Sequence, residues 1–287
     1  MKRLIVNADD LGADEARNAG IFDAIQAGSV TSGSILPNGP ALEDAIRKIR
    51  SLNFKNVSFG IHLNLSEGRP LSSGLRHITG PDGSFLGKAA SQRLLIHRGD
   101  SKLQEEIRKE LAAQIQLLQD GGVPIDHMDG HQHIHVFPAV VMLAAEAART
   151  FGIPWMRIPE ELPDDFSAGW SSAPVKDEAW FFSGHAQAAR PLFAEMGISA
   201  TDHFRGLHLK GRLPASLWTE FLEAIPQGLT ELMVHPGRAP GHAASGPFSG
   251  FSTPDREKEL EALVDGRFCA ALLATGVELT PFPGVRN

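Results

Sequence analysis

The sequence is short of three things: cysteine, long apolar runs and blocks of basic residues. Its single cysteine, Cys269, cannot form a disulfide within the chain, which fits a reducing compartment. No run approaches the roughly 18 apolar residues that span a bilayer. The first residues also lack the apolar stretch and cleavage site of a signal peptide. We therefore expect a cytoplasmic protein with no transmembrane segment.

The charge and the missing nucleotide motifs exclude further classes of protein. The net charge is −7 and no Lys/Arg cluster stands out, so neither a nucleic acid nor an anionic membrane surface is an expected partner. The chain has no Gly-x-Gly-x-x-Gly turn after its first predicted strand and no Gly-Lys-Ser/Thr phosphate loop. Hydrophobic residues make up 42% of the 287 residues, which is enough for a substantial core.

Apolar periodicity alternates between strand-like and helix-like stretches along the chain. This alternation favours βα units and a parallel sheet. Seven or eight such units predict an α/β fold, a TIM-like (β/α) barrel that is seven-stranded or incompletely closed. A doubly wound open sheet is the competing architecture. The predicted strands lie at 4–6, 30–36, 57–65, 126–135 (a strand with its exit loop), 155–158, within 198–209, 229–234 and 277–282. The predicted helices lie at 15–27, 41–52, 101–119, 138–151, 186–196, 214–224 and 254–275.

Three long stretches interrupt this alternation, near residues 66–100, 159–184 and 238–252. Loops of this length inside a compact domain are usually functional. We expect them to be insertions that shape a binding site in a single catalytic barrel domain spanning residues 1–287.

Two adjacent carboxylates, Asp9 and Asp10, follow directly on the first apolar run. The C-terminal ends of parallel strands are where α/β enzymes carry their chemistry. For an isolated Asp-Asp pair, a solvated turn with Asp9 capping the next helix is the alternative. Histidines at the ends of other predicted strands favour the chemical interpretation.

A dense histidine cluster lies between residues 127 and 135. Zinc and similar ions bind a few imidazole and carboxylate ligands, often with an open position for water. The cluster predicts at least one metal ligand, with buried, hydrogen-bonded histidines as the alternative, and the spacing alone does not select a residue. Alternation would place the polar side chains on one face of an extended segment, namely His127, Asp129, His131, His133 and His135.

Two further histidines, His62 and His235, lie within or directly after other predicted strands. A hydrogen-bonded core position is the simpler interpretation of a lone histidine in an apolar strand. However, strand ends converge in a barrel, so residues far apart in sequence meet there. One aspartate, two histidines and a water molecule make a metal-hydrolase centre. A second aspartate could then take a proton and a further histidine could donate one.

Several segments spread from residue 4 to about 279 together carry a resemblance to a known family. They are Val-Asn-Ala-Asp-Asp-Leu-Gly (6–12), Val-Thr-Ser (30–32), Gly-Ile-His-Leu-Asn-Leu-Ser-Glu-Gly-Arg-Pro-Leu (60–71), His-Met-Asp-Gly-His-Gln-His-Ile-His-Val-Phe-Pro (127–138) and Glu-Leu-Met-Val-His-Pro-Gly (231–237). The set resembles the YdjC-like carbohydrate deacetylases, which include chitooligosaccharide deacetylases and a hopanoid-biosynthesis-associated branch. This resemblance implies a barrel related to that of polysaccharide deacetylases, a divalent metal ion and hydrolysis of an N-acetyl group on an amino sugar.

The resemblance also implies roles for individual residues. The metal ligands would be Asp10, His62 and His131, so that the first histidine after the Asp-Gly pair is selected from the cluster. Asp9 would be the general base that activates water. His235 would be the general acid or would stabilise the oxyanion.

Four more residues fall in recurrent family positions with less defined roles, and an ordinary structural salt bridge is an equal alternative for two of them. His127 and Asp129 would orient the ligands. The two for which a salt bridge is an equal alternative are Arg157 and Asp202. Two histidines and one carboxylate suit zinc, and also iron, cobalt or nickel, whereas magnesium is a less natural partner of imidazole.

The expected substrate is an acetylated amino sugar of the chitooligosaccharide or diacetylchitobiose type, with acetate as product. A different acylated glycoconjugate such as a glycolipid, a glycosidase reaction and a non-catalytic sugar- or metal-binding barrel are the alternatives. Phe85, Trp170 and Trp180 are candidates for stacking on sugar rings, with ordinary packing as the alternative for each. The oligomeric state, including a homodimer, is left open.

Overall fold

The computed structural model of the protein describes residues 1–51, 56–162, 172–209, 214–239, 246–248, 250 and 253–284. Within these residues, strands and helices alternate as the apolar periodicity predicts. The strands are β1 (Lys2–Leu11), β2 (Ser32–Ile35), β3 (Ser58–Leu63), β4 (His127–Gly130), β5 (Trp155–Met156), β6 (His203–Arg205), β7 (Gly228–Val234) and β8 (Glu278–Leu279). The α-helices are α1 (Glu15–Gln26), α2 (Leu42–Ser51), α3 (Lys88–Leu95), α4 (Ser101–Asp120), α5 (Val141–Phe151), α6 (Ala173–Glu195), α7 (Trp218–Ala224), α8 (Asp255–Val264) and α9 (Gly266–Thr275).

All strand pairs of the sheet are parallel, and seven strands follow the order β5-β4-β3-β2-β1-β7-β6. The short β8 pairs with the beginning of β1. In the described part of the chain, an isolated parallel bridge joins Trp155 of the edge strand β5 to Ser199, which precedes the other edge strand, β6. Among the described strands from β1 to β7, every consecutive pair except β5 and β6 is hydrogen-bonded, and β7 returns to β1, as in a barrel that is open between β5 and β6. The prediction of an incompletely closed (β/α) barrel is confirmed.

The two faces of β1 separate the core into an outer and an inner layer. Leu4, Val6 and Ala8 are buried in the large cluster that the helices cover. Because side chains alternate along a strand, Ile5 points to the other face, where it packs with Leu229 and Phe282. The next residues on that inner face are polar, so the barrel interior changes from apolar to charged toward the carboxyl ends of its strands.

Helix α4 shows how directly the local pattern produces an element. The side chain of Asp100 accepts a hydrogen bond from the Leu103 backbone N–H at 2.9 Å and caps the helix. Apolar residues spaced three or four apart then form the buried stripe that the sequence predicts. These residues are Leu103, Ile107, Leu111, Ile115 and Leu118.

Some predicted boundaries are wrong. The stretch near 66–100, predicted to be a loop, contains α3, and α6 begins within the predicted irregular stretch near 159–184. The final predicted helix is two helices, because Asp265 has an extended conformation between them. No helix in the described ranges is both long and apolar enough to cross a membrane.

The prediction that the histidine cluster continues as one extended segment is also wrong. Strand β4 ends at Gly130, and residues His131–Val136 form short 3₁₀ turns on either side of a kink. Gln132 and His133 have positive φ values of 54° and 57° at this kink. The five polar residues of the cluster therefore do not share one face.

Candidate active site

A distortion at the end of β1 brings both adjacent carboxylates to one pocket. In a regular strand, neighbouring side chains point to opposite faces, yet Asp9 and Asp10 both line the same cavity. The pairing of β1 with β2 shifts register between Ala8 and Leu11. Asp10 has a φ of 66°, a left-handed conformation that aspartate tolerates better than most residues. This irregularity turns the second carboxylate toward the side of the first.

Asp10, His62 and His131 form a compact set of metal-ligand atoms. One oxygen of Asp10, Oδ1, lies 3.4 Å from Nε2 of His62 and 3.0 Å from Nδ1 of His131. The three atoms all lie within 4.8 Å of one another. Asp10 Oδ1 is buried and accepts no hydrogen bond from the described residues, so its lone pairs are available to a metal ion. Two imidazoles and one carboxylate therefore fit a divalent transition-metal ion.

The surrounding carboxylates favour a positive charge at this position. Burial alone would lower the pKa of His62, but Asp129 and Asp9 outweigh it and raise the pKa to about 10. Burial is likewise overcome at His131, where Asp10 raises the pKa above its ordinary value. A bound metal ion would supply the same positive charge while the imidazoles are neutral.

A fully buried arginine, Arg157, joins three carboxylates beneath the pocket. Its guanidinium donates from Nη1 and Nη2 to the two oxygens of Asp9, at 2.7 Å each. Its Nη2 lies 2.8 Å from Asp129 Oδ2, and its Nε donates to Glu231 at 2.8 Å. Burial raises the pKa of Asp9, and the charge of Arg157 opposes that shift. Asp9 is thus held in one orientation and is more basic than a solvated aspartate.

Asp129 and His127 support this group from within the barrel. Asp129 Oδ1 lies 2.7 Å from Nδ1 of His62, and Ser34 Oγ donates to Asp129 Oδ2 at 2.7 Å. His127 Nε2 lies 3.0 Å from the same hydroxyl. A Cβ at Gly60 would come within 2.4 Å of the His127 ring, so only glycine leaves room for it. His127 does not line the pocket, and burial lowers its pKa to about 3.

His235 completes the pocket on the side of β7. Its Nε2 lies 4.0 Å from Asp9 Oδ2. Burial, reinforced by the charge of Arg256, holds the pKa of His235 well below its ordinary value. The imidazole is therefore neutral and faces the carboxylate across the cavity. The pocket has a volume of about 220 Å³, and its apolar lining comes from Phe182, Leu207 and Met233.

The structure does not bring Asp202 together with this group. It precedes β6 at the amino end of the sheet and is exposed. Its Oδ2 accepts a hydrogen bond from the Leu229 backbone N–H at 2.8 Å, close to the start of β7. The carboxylate therefore secures a strand at the end of the barrel opposite to the pocket.

The two aromatic candidates for sugar stacking that the structure describes do not line the pocket either. Phe85 is buried, and the Trp180 side chain is 57% exposed on α6. Neither residue is among those that line the cavity. Trp170 lies outside the described residues.

Three residues of the site carried no separate prediction. Arg17 is buried in α1 and donates to Asp10 Oδ2 at 3.0 Å. The sequence signal for its burial is that it lies four residues before Ile21, on the same face of the helix. Glu67 Oε2 lies 2.8 Å from Nε2 of His131. His133, one of the crowded histidines, lines the pocket and packs edge-on against Phe182 at a ring-centroid distance of 4.7 Å.

Comparisons with known proteins agree over almost the whole chain. The family model described as YdjC-like protein matches residues 3–274. A mouse (Mus musculus) protein named carbohydrate deacetylase is 37% identical over 295 residues, covering 96% of this chain and 93% of its own. The human (Homo sapiens) protein of the same name is 36% identical over 294 residues, covering 96% of this chain and 89% of its own.

A solved structure has the same fold. It is a crystal structure from Enterococcus faecalis, of a protein provisionally named a cellobiose-phosphate cleavage protein. The TM-score is 0.78 with 21% sequence identity, over 100% of this chain and 99% of that one. At this identity the likeness concerns the fold alone.

Proposed function

Because the chain belongs to the YdjC-like protein family, we propose that it is a metal-dependent hydrolase that removes an N-acetyl group from an acetylated amino sugar. The names of the mouse and human relatives support deacetylation of a carbohydrate. The observation that carries the proposal is the convergence of one base candidate and three ligand candidates in one pocket. Asp9 lies beside the group Asp10, His62 and His131, with His235 opposite.

Asp10, His62 and His131 would hold the metal ion, and Asp9 would act as the base. A divalent ion in such a site polarises a carbonyl group and increases the acidity of water. Arg157 fixes the Asp9 carboxylate through two hydrogen bonds, and burial raises its pKa. Both effects suit a group that must take a proton from water at a defined position.

His235 would serve the leaving nitrogen. Water adds its oxygen to the acetyl carbon as Asp9 takes one proton, and the C–N bond then breaks as the nitrogen gains a proton. The imidazole of His235 lies across the pocket from Asp9. Because its pKa is held low, the neutral imidazole would first take the proton that Asp9 removed from water and then pass it to the nitrogen. The products are acetate and a free amino sugar.

The apolar side of the pocket suits the acetyl group. Phe182, Leu207 and Met233 are nearly fully buried and line the cavity together with the carboxylates. An acetyl methyl placed against them would be removed from water while its carbonyl faces the ligand group. The proposal extends to chitooligosaccharides as substrates and zinc as the natural ion. A single catalytic domain and a cytoplasmic location stay predictions, and the oligomeric state, including a homodimer, stays open.

The test is acetate release from diacetylchitobiose and longer N-acetylglucosamine oligomers. The protein is assayed as purified, after chelation, and after addition of zinc, cobalt, nickel or magnesium. We expect chelation to abolish release and one metal to restore it. Release that survives complete metal removal would contradict metal dependence. Cleavage of the oligomers into shorter sugars without acetate would instead indicate a glycosidase, and tight sugar binding without any product a binding protein.

A further inference from the structure

The two candidate ligand histidines present opposite ring nitrogens to Asp10. His62 turns its Nε2 toward Asp10 Oδ1 at 3.4 Å, whereas His131 turns its Nδ1 toward the same oxygen at 3.0 Å. A neutral imidazole carries a lone pair on one nitrogen and a proton on the other. To bind one ion, His62 must carry its proton on Nδ1 and His131 must carry its proton on Nε2.

A carboxylate accepts each of these two protons. Asp129 Oδ1 lies 2.7 Å from His62 Nδ1, and Glu67 Oε2 lies 2.8 Å from His131 Nε2. A carboxylate at the far nitrogen fixes both the tautomer and the ring orientation of a ligand histidine, and it makes the ligand nitrogen more basic. Asp129 is fully buried and lies within the histidine cluster in sequence. Glu67 comes from a different segment and is partly exposed.

The backbone around Glu67 is held in place for this contact. Asn64 Oδ1 accepts from the backbone N–H of Ser66 at 2.9 Å and of Glu67 at 3.2 Å, and Asn64 Nδ2 donates to the Glu67 carbonyl at 2.7 Å. The side-chain amide of Gln114 in α4 in turn accepts a hydrogen bond from the Asn64 backbone N–H and donates one to the Asn64 carbonyl. Glu67 therefore leaves the end of β3 in a turn that its neighbours define.

The kink after β4 brings a second donor to the same oxygen. Gln132, with its left-handed φ of 54°, donates from Nε2 to Glu67 Oε2 at 3.0 Å. The oxygen that faces His131 thus accepts two hydrogen bonds, which locks the carboxylate against rotation. The strained turn at 131–133 and the turn at 64–67 meet at this one atom.

We propose that Glu67 is a positioning residue that holds the proton of His131 on Nε2 and so keeps its Nδ1 available as a metal ligand. This inference rests on the proposed metal site. It makes Glu67 the counterpart of Asp129, with one carboxylate for each of two opposite tautomers. Glu67 acts through His131 and needs no contact with the substrate.

The test compares Glu67→Ala and Glu67→Gln with the wild-type chain by titration with Zn²⁺ and Co²⁺. We expect Glu67→Ala to weaken the metal Kd by about 10- to 100-fold, with a changed visible spectrum of the Co²⁺ protein. Glu67→Gln keeps an acceptor oxygen and should recover part of the affinity. In the zinc protein, ¹⁵N NMR should show His131 protonated on Nε2 in the wild type, and circular dichroism checks that each variant is folded.

Glu106→Gln is the matched control, because Glu106 accepts a hydrogen bond from His77 Nδ1 at 2.8 Å outside the pocket. It should leave the metal Kd and the Co²⁺ spectrum unchanged. Wild-type affinity and spectrum in folded Glu67→Ala would overturn the inference, even if activity fell. If the proposed deacetylation is wrong but the inference is right, the Glu67 variants will still bind metal more weakly, although the wild-type protein releases no acetate. A wild-type chain that binds neither ion would overturn both.

Discussion

The floor and the wall of the pocket are built on different principles. The floor consists of Asp9, Asp10, His62, Asp129 and Arg157, all almost completely buried and joined by direct ion pairs and hydrogen bonds. The wall consists of Phe182, Leu207, Met233 and His235, which come from α6 and from the strand ends on the other side of β1.

This difference separates the chemistry from the shape of the cavity. A buried charge network tolerates little change, because removing one partner leaves the others desolvated and unpaired. An apolar wall loses only contact area when a side chain changes, so it can vary between proteins that run the same reaction. We therefore expect substitutions in the floor to cause large losses of stability or activity, and substitutions that act on the wall to cause small ones.

The largest expected effect comes from Arg157→Met in the floor. This change would leave Asp9, Asp129 and Glu231 buried without their shared cation, and we expect the free energy of unfolding to fall by about 3–5 kcal/mol. Urea denaturation measures it. Arg190→Met is the control, because the ion pair of Arg190 with Glu160 is partly solvated and should contribute about 0–1 kcal/mol. Equal losses in the two variants would remove the distinction between a buried network and a surface pair.

The next effect concerns activity without loss of the metal. Asp9→Asn removes the proposed base, and we expect kcat to fall by roughly 10²- to 10⁴-fold while the metal Kd stays near that of the wild type. His62→Ala should lose metal and turnover together. Asp202→Asn changes a carboxylate at the opposite end of the sheet and should keep both. An active Asp9→Asn enzyme would refute the assignment of the base.

The smallest effect concerns the segment that carries the wall. Glu161 Oε2 accepts hydrogen bonds from the backbone N–H groups of Gly206, Leu207 and His208, at 2.9, 2.6 and 3.2 Å. Burial raises the pKa of Glu161 to about 7, against these hydrogen bonds and the charge of Arg205. Below its unfolded pKa of about 4.5 both states hold the proton. Between that value and pH 7 only the folded state does, so stability falls as the pH rises.

Glu161→Gln should remove this dependence. We expect the stability of the wild type relative to the variant to decrease by on the order of 1–3 kcal/mol between pH 5 and pH 7. Urea unfolding at several pH values measures it, with Glu160→Gln as the control at the neighbouring, more exposed position. Parallel curves for the wild type and Glu161→Gln would show that Glu161 is ionised throughout, and the wall would then be held by a permanent charge.

Elements whose causes are local can be predicted from the amino-acid sequence alone. The apolar run before Asp9 predicts β1, and the apolar stripe along α4 predicts that helix nearly to the residue. Strand–helix alternation predicts the parallel barrel, because each βα unit must cover its own apolar face. The pattern also places the two aspartates and the histidines at strand ends.

Which of these groups come into contact depends on the folded arrangement of the strands. Alternation would have aligned five polar residues from 127 to 135, but the kink after Gly130 sends them to different places. His131 faces Asp10, whereas His135 instead binds the carbonyl of Arg157 inside the barrel. Asp202 lies at the other end of the sheet. A polar residue next to a strand therefore indicates a site residue only once it is known at which end of the strand the residue lies.

The physical reason is the range of the interactions. Periodicity and capping involve residues a few positions apart, so they can be read from a short stretch. The pairs that define the site join residues distant in the chain: Glu67 with His131 across 64 positions, and Asp9 with Arg157 across 148. Their geometry depends on the strand order, on one bulge in β1 and on one kink after β4. For that reason the sequence predicted a cluster of ligands, and the fold selected the atoms that face one another.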